Sequence, residues 1–418
     1  MLIHYWEKKL FAFLAAGLFA LAASGCAVNP VTGRSELRIV NVSEEQEIAL
    51  GAQAYVPAVQ EQGGFYRDPD LEAYVQEVGM RLAKASHRPA LKFRFQILNS
   101  SVPNAFALPG GFIVVNRGLL VVFNSEAELA AVLAHEIVHV TAKHSLAGYQ
   151  RAVAGNILAS GVSALAGGGI LGAGTQALSN VTTSLIQNGF SREQEREADA
   201  IGMDYMVKAG YNPQGMVNLQ EFFYKELEGG QNPMWLSGLF RTHPFSKDRF
   251  DDTRRYLAQK YADTVNNPRY VMNTDVFPQR IADLRKVQKA YDISDKGDAL
   301  LQEKKYDEAL AKYQEAARME PRQAPFYSSA GKAHLLRKDY AAAQEQLIKA
   351  VELDGELFEP RLLLGALYYS QKNYRAAIPE LEKSMNLIPT KDGAVMLSKS
   401  YEAIGDAANA KKYADMAK

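Results

Sequence analysis

Ser125-Glu126-Ala127-Glu128-Leu129-Ala130-Ala131-Val132-Leu133-Ala134-His135-Glu136-Ile137-Val138-His139-Val140 opens as a helix and continues as one. Ser125 and Glu128 have the Ser-x-x-Glu form of a capped start, and Leu129, Val132, Leu133, Ile137 and Val140 recur at helical spacing. His135 and His139 stand four residues apart, so both imidazoles leave one face of the helix and can reach the same ion. Glu136 beside them is free to address a water held by that ion. A buried histidine pair without metal is the plainer alternative, and a third ligand elsewhere in the chain separates the two.

A third histidine on the same run requires Gly at 142 and His at 145, and Ala142 and Ser145 close that route. Glu195-Arg196-Glu197-Ala198-Asp199 offers a carboxylate instead, on a helix expected to open at Ser191, with Gln194 completing a capping box, and to stop near Gly210. Glu195 and Asp199 fall one turn apart. The first can bind zinc, and the second can hold a ligand imidazole by its outer nitrogen. His144 lies roughly 140° around a continued helix from His139, so it is expected to face elsewhere as a structural residue. His87 and His334 lack ligand-like neighbours.

Outward from this pair, Ser43 and Gln46 predict a helix start, with the helix running to about Tyr55, just before Pro57, and a second helix is expected from Pro69 to about Ala85. Phe93, Phe95 and Ile97 alternate with polar residues as in a half-buried strand, and Pro109-Gly110-Gly111 announces another over Phe112-Ile113-Val114-Val115-Asn116. The result is a small sheet among helices. Residues 152–176, rich in Ala and Gly, read as a mobile lid or helical hairpin, with a weakly hydrophobic membrane segment as the alternative.

The last third repeats with a period of 34. Gly297, Gly331 and Gly365 are each followed nine residues later by Tyr306, Tyr340 and Tyr374, then by Ala309, Ala343 and Ala377. Period and small-residue pattern resemble the tetratricopeptide repeat, a stack of helix pairs with a concave groove for a peptide or protein. A fourth unit, with Ser398 where Gly is expected, reads as a capping element.

At 418 residues, two or three folded units are expected. Lys8 and Lys9 precede an apolar run from Leu10 to Ala23, too short to span a bilayer comfortably, so residues 1–25 read as an export signal. The run ends Ala23-Ser24-Gly25-Cys26, which resembles a bacterial lipobox, and Cys26 is the sole cysteine, so no intrachain disulfide forms. Without residues 1–25, the chain holds 45 basic and 46 acidic residues. No basic excess exists to neutralise a phosphate backbone, which excludes nucleic acid as the main partner.

Together Asn29-Pro30-Val31-Thr32-Gly33, Asn104-Ala105-Phe106-Ala107-Leu108-Pro109-Gly110-Gly111, the His135 helix, Ser191-Arg192 with Glu195 to Asp199, and Thr242-His243-Pro244 resemble the M48 zinc metalloproteases. With the repeats appended, the chain is similar to an exported subgroup of that family that supervises outer-membrane proteins, differing in its lipobox. The resemblance implies that the His243 loop approaches the zinc.

The expected fold is α+β: a mainly helical, gluzincin-type metalloprotease domain with a small β-sheet, followed by an all-α tetratricopeptide solenoid. The expected divisions are a signal over 1–25, a lipidated tether over 26–42, the protease domain over 43–265, a connecting helical segment over 266–289 and the repeats over 290–418. One zinc per chain is expected on His135, His139 and Glu195, oriented by Asp199, with Glu136 as general base. His243 or Arg249 would donate to the developing oxyanion, or His243 would gate the zinc. The Phe112 to Asn116 strand would pair with an extended substrate. Expected partners are unfolded or misassembled envelope proteins, the outer-membrane assembly machinery through the repeats, and the outer membrane's periplasmic face through a lipid on Cys26. The rival reading is a chaperone or scaffold in which proteolysis is secondary.

Overall fold

The computed structural model describes residues 26–37, 41–148, 150, 189–228 and 236–418. The expected signal over 1–25 and the segment 152–176 lie outside the described residues. Among the described residues, no helix is long and apolar enough to cross a membrane.

Strands β1 (Cys26–Val28) and β2 (Ser35–Leu37) form an antiparallel hairpin within the first part of the expected tether. Helix α1 (Glu44–Glu61) starts at the Ser43–Gln46 capping box, yet it runs through Pro57 instead of stopping before it. A proline inside a helix forfeits one backbone hydrogen bond, but Leu50, Ala54, Ala58 and Val59 stay buried along one face and carry the helix past it. Helix α2 (Pro69–Lys84) follows, N-capped by Asp68.

A three-stranded sheet comes next: β3 (Arg94–Leu98), β4 (Ala105–Leu108) and β5 (Phe112–Asn116), in the order β3-β5-β4. β5 is parallel to β3 and antiparallel to β4. Alternation along β5 sends Phe112 and Val114 to a cluster with α1, and Ile113 and Val115 into the main core. Every residue of β5 is buried and both its edges are paired, so the expectation that Phe112–Asn116 receives substrate is corrected. The free edge on the metal side belongs to β4.

Helix α3 (Glu126–Thr141) is buried at every position, polar residues included, and is the central helix of the domain. Against it packs α4 (Arg192–Lys208), which opens at the Ser191–Gln194 capping box. Gly202 lets the two backbones meet, since a Cβ there would lie 3.3 Å from the His135 nitrogen. Helices α5 (Gln214–Glu228) and α6 (Lys247–Lys260) complete the layer.

Four helix pairs follow: α7 (Ala282–Gln302) with α8 (Tyr306–Met319), α9 (Ala324–Leu336) with α10 (Tyr340–Leu353), α11 (Phe358–Ser370) with α12 (Tyr374–Leu387), and α13 (Lys391–Ala403) with α14 (Ala407–Met416). A Cβ at Gly297, Gly331 or Gly365 would come within 2.7 Å of Tyr313, Leu347 or Leu381 respectively, which is why the repeat keeps glycine there. In the fourth pair Ser398 instead bonds the Ala410 carbonyl at 2.9 Å. Helix α7 is continuous across residues 289 and 290, so the expected boundary there falls inside one helix. Leu284 of α7 is part of the protease core, and the Arg117 guanidinium lies 3.4 Å over the Tyr291 ring. A second contact joins Gln60 of α1 to Glu356 and Phe358 of the third repeat, at 2.8 and 2.9 Å.

Candidate metal centre

The capped start of α3 sets the rotation at which His135 and His139 emerge, and the capping box of α4 does the same for Glu195 and Asp199. Where α3 and α4 cross, these side chains converge. His135 Nε2 lies 3.0 Å from His139 Nε2 and 3.5 Å from Glu195 Oε2, and His139 Nε2 lies 3.4 Å from Glu195 Oε1. His243, just past a short helix, closes the group with Nδ1 3.3 Å from His135 Nε2 and 3.1 Å from Glu195 Oε1. One ligand atom from each of the four falls within 4.8 Å of the others, and all four residues are buried. A tetrahedral zinc with nitrogen and oxygen ligands at about 2.0–2.1 Å sets ligand atoms about 3.3 Å apart. The donor set and its spacing fit that ion.

Around this group a second layer fixes orientation. Asp199 Oδ1 lies 3.0 Å from His135 Nδ1 and accepts a bond from Gln220 at 3.0 Å. Arg249, expected as an oxyanion donor, is committed elsewhere. Its guanidinium takes both Asp199 oxygens at 2.8 and 2.9 Å, Glu195 Oε2 at 2.6 Å and the Pro244 carbonyl at 3.0 Å. It holds the ligand carboxylates from behind with four of its five N–H donors engaged, so its place is behind the ligands and not at the expected oxyanion.

His144 also departs from expectation. Helix α3 ends at Thr141, and Lys143, at φ 57°, turns the chain left-handed. His144 therefore folds back, with Nδ1 2.9 Å from His139 Nδ1. Phe190 stacks on the His139 ring with centroids 3.6 Å apart. Neither contact follows from helical spacing, because His144 and Phe190 both lie outside α3 and α4.

Electrostatics follow from burial among opposed charges. Burial disfavours the charged form of His135, yet Glu195 and Asp199 outweigh it and push its pKa up to about 10. His139, penalised by burial and by charged His135, falls well below the usual range despite Glu195. Burial would raise Glu195 and Asp199, but His243, Arg249 and His135 hold Glu195 low, and Arg249 and His135 hold Asp199 low. Burial raises Glu136 against the pull of His243 and His135. Glu136 Oε1 lies 3.4 Å from His243 Nε2, and Oε2 has no hydrogen-bond partner among the described residues.

Residues 69–256 match peptidase family M48. The chain carries an M48 metallopeptidase domain. Downstream of it, residues 297–337 match the TPR repeat. The beta-barrel assembly-enhancing protease of Escherichia coli is 30% identical over 224 residues, 51% of this chain and 44% of that protein. The Yersinia pestis protein of the same name is 29% identical over 369 residues, 82% of this chain and 74% of its own. The mitochondrial metalloendopeptidase OMA1 of Schizosaccharomyces pombe is 30% identical over 242 residues, 55% of this chain and 66% of its own. The chain spans about half the length of the Escherichia coli relative and of a Vibrio cholerae relative that is 32% identical over 222 residues. The M48 match covers His135, Glu136, His139, Glu195, Asp199, His243 and Arg249.

Proposed function

We propose that the chain is an exported zinc endopeptidase that hydrolyses peptide bonds of misfolded or stalled outer-membrane proteins. The observation that carries this reading is the convergence of four buried ligand atoms beside a glutamate whose second oxygen has no partner. The names of its relatives support the envelope substrates. His135, His139 and Glu195 would hold a zinc ion, which would supply Lewis acidity to the scissile carbonyl and the attacking water. Glu136 takes the water's proton and returns it to the leaving amine, a task suited to a carboxyl raised by burial.

Substrate pairs with the free edge of β4. His243 now stands there, its Nε2 3.2 Å from the Ala105 carbonyl and 3.4 Å from Glu136 Oε1, while its Nδ1 faces the ligand group. One ring thus fills both the fourth ligand position and the place of a substrate backbone, and it must swing away before a peptide enters. The repeats dock partners or substrates in their groove, and a lipid on Cys26 holds the protein to the periplasmic face of the outer membrane. Closure by His243 favours a second reading, a chaperone or scaffold in which proteolysis is secondary. Restored outer-membrane assembly by Glu136→Gln in cells lacking the gene would establish it.

The test is cleavage of an unfolded outer-membrane barrel protein by the purified chain. Glu136→Gln keeps its zinc and loses roughly 10²–10⁴ in rate, and a chelator abolishes wild-type cleavage. Undiminished cleavage in either case contradicts the reading. His243→Ala cleaves faster if the ring blocks the site; a loss of about tenfold or more assigns it to the oxyanion instead.

A further inference from the structure

The two histidines of α3 are held by different devices. His135 meets a carboxylate directly, Asp199 at 3.0 Å. His139 meets an imidazole, His144, at 2.9 Å. Beyond it, His144 Nε2 faces Glu197 Oε2 at 3.4 Å, and Glu197 Oε1 lies 2.7 Å from Arg34 Nε. Arg34 also reaches Glu193 at 2.9 Å and belongs to the turn and hairpin formed by residues 26–37. Asn29, almost fully buried, pins that hairpin to the end of α3 by donating to the Ala142 carbonyl at 2.7 Å.

We propose that Glu197, His144 and Arg34 form a relay that positions His139, which makes the N-terminal hairpin a working part of the metal centre. The proposal rests on the zinc reading above. To bind through Nε2, His139 must carry its proton on Nδ1. Nδ1 then donates to His144 Nδ1, which leaves the His144 proton on Nε2, 3.4 Å from Glu197 Oε2, where the carboxylate's charge favours it although the geometry falls short of a hydrogen bond. The carboxylate thus selects the tautomer of His144, and His144 selects that of His139. Arg34 fixes the far carboxylate oxygen and sets where Glu197 stands. These are positioning residues: none reaches the ligand group, and each acts through its neighbour.

The test is zinc affinity of the full chain, by competition with a chromophoric chelator, beside the absorption spectrum of the cobalt-substituted protein. His144→Leu weakens zinc binding by roughly ten- to a hundredfold and shifts the cobalt bands, and Glu197→Gln and Arg34→Ala weaken it by successively smaller factors. His144→Asn, whose amide oxygen can accept from Nδ1, stays within about threefold of wild type. Melting of each variant in chelator separates lost positioning from lost folding, and if His144→Leu fails to fold, Glu197→Gln decides. Wild-type affinity in Glu197→Gln and Arg34→Ala overturns the relay and leaves the zinc reading intact. A wild-type chain that takes up no zinc overturns both.

Discussion

Arg249 shows how much of the site is held from behind. Replacing it with Met leaves Glu195 and Asp199 buried without their shared cation, and breaking such a contact costs about 3–5 kcal/mol. Urea unfolding in chelator is expected to show that loss, and a smaller one with zinc present. The same groups set the pH response of the metal-free chain. The His135 pKa rises from 6.5 to about 10, so its contribution is fully present below pH 6.5 and drains away as pH climbs to about 10. Glu195 and Asp199 are held below their ordinary 4.5 and 3.8, so theirs is present above those values and lost as pH falls below them. Thermal melts in chelator should therefore fall on the alkaline side between pH 6.5 and 10. A metal-free protein that grows more stable from pH 7 to 9 contradicts this. His135, His139, Glu195 and Asp199 were legible because each pair lies one turn apart on one helix. The His144 contact was not, since the left-handed turn at Lys143 has no helical period to announce it.

Among the elements, the repeats carry a device that their glycine pattern does not reveal. Lys304, Lys338 and Lys372 end successive first helices in left-handed conformation, at φ 62°, 65° and 61°, and the fourth pair has Gly405 at φ 84°. That conformation costs a side-chain-bearing residue about 1–2 kcal/mol, and glycine gives back about 0.5–1 kcal/mol in chain entropy. Lys338→Gly should therefore stabilise the chain by about 0.5 kcal/mol. Gly331→Ala drives a methyl into Leu347 and should destabilise it by about 1–3 kcal/mol. Denaturant midpoints read both, and equal signs would refute the account of the turn. The period of 34 made the helix pairs readable in advance. Strand order was not readable, because the choice of β5 as the middle strand rests on pairing between segments far apart in sequence. Helix α1 likewise outran Pro57 because burial against the sheet outweighs one lost hydrogen bond.

Among the described residues, the repeats and the protease domain are joined at two separated contacts. Arg117 is almost fully buried, lies over Tyr291, and donates to Asn99 at 2.8 Å, to Ser101 at 2.5 Å and to Gln288. Arg117→Ala strands those acceptors and should cost about 2–3 kcal/mol, with faster proteolysis between the two units while zinc stays bound. Loss of zinc together with the contact would show that the units are one body. The sequence separated two architectures by their periods, 3.6 along α3 and 34 along the repeats. It did not show that α7 belongs to both, because a helix that bridges two cores has the same local pattern as one that ends in either.

The central claim, that His135, His139 and Glu195 hold one zinc beside Glu136, is tested most directly by anomalous scattering at the zinc edge from crystals of the zinc-loaded chain. The account predicts a single peak about 2.0–2.2 Å from His135 Nε2, His139 Nε2 and a Glu195 oxygen, with Glu136 outside the ligand sphere. A peak that omits Glu195, or none at the crossing of α3 and α4, would contradict it.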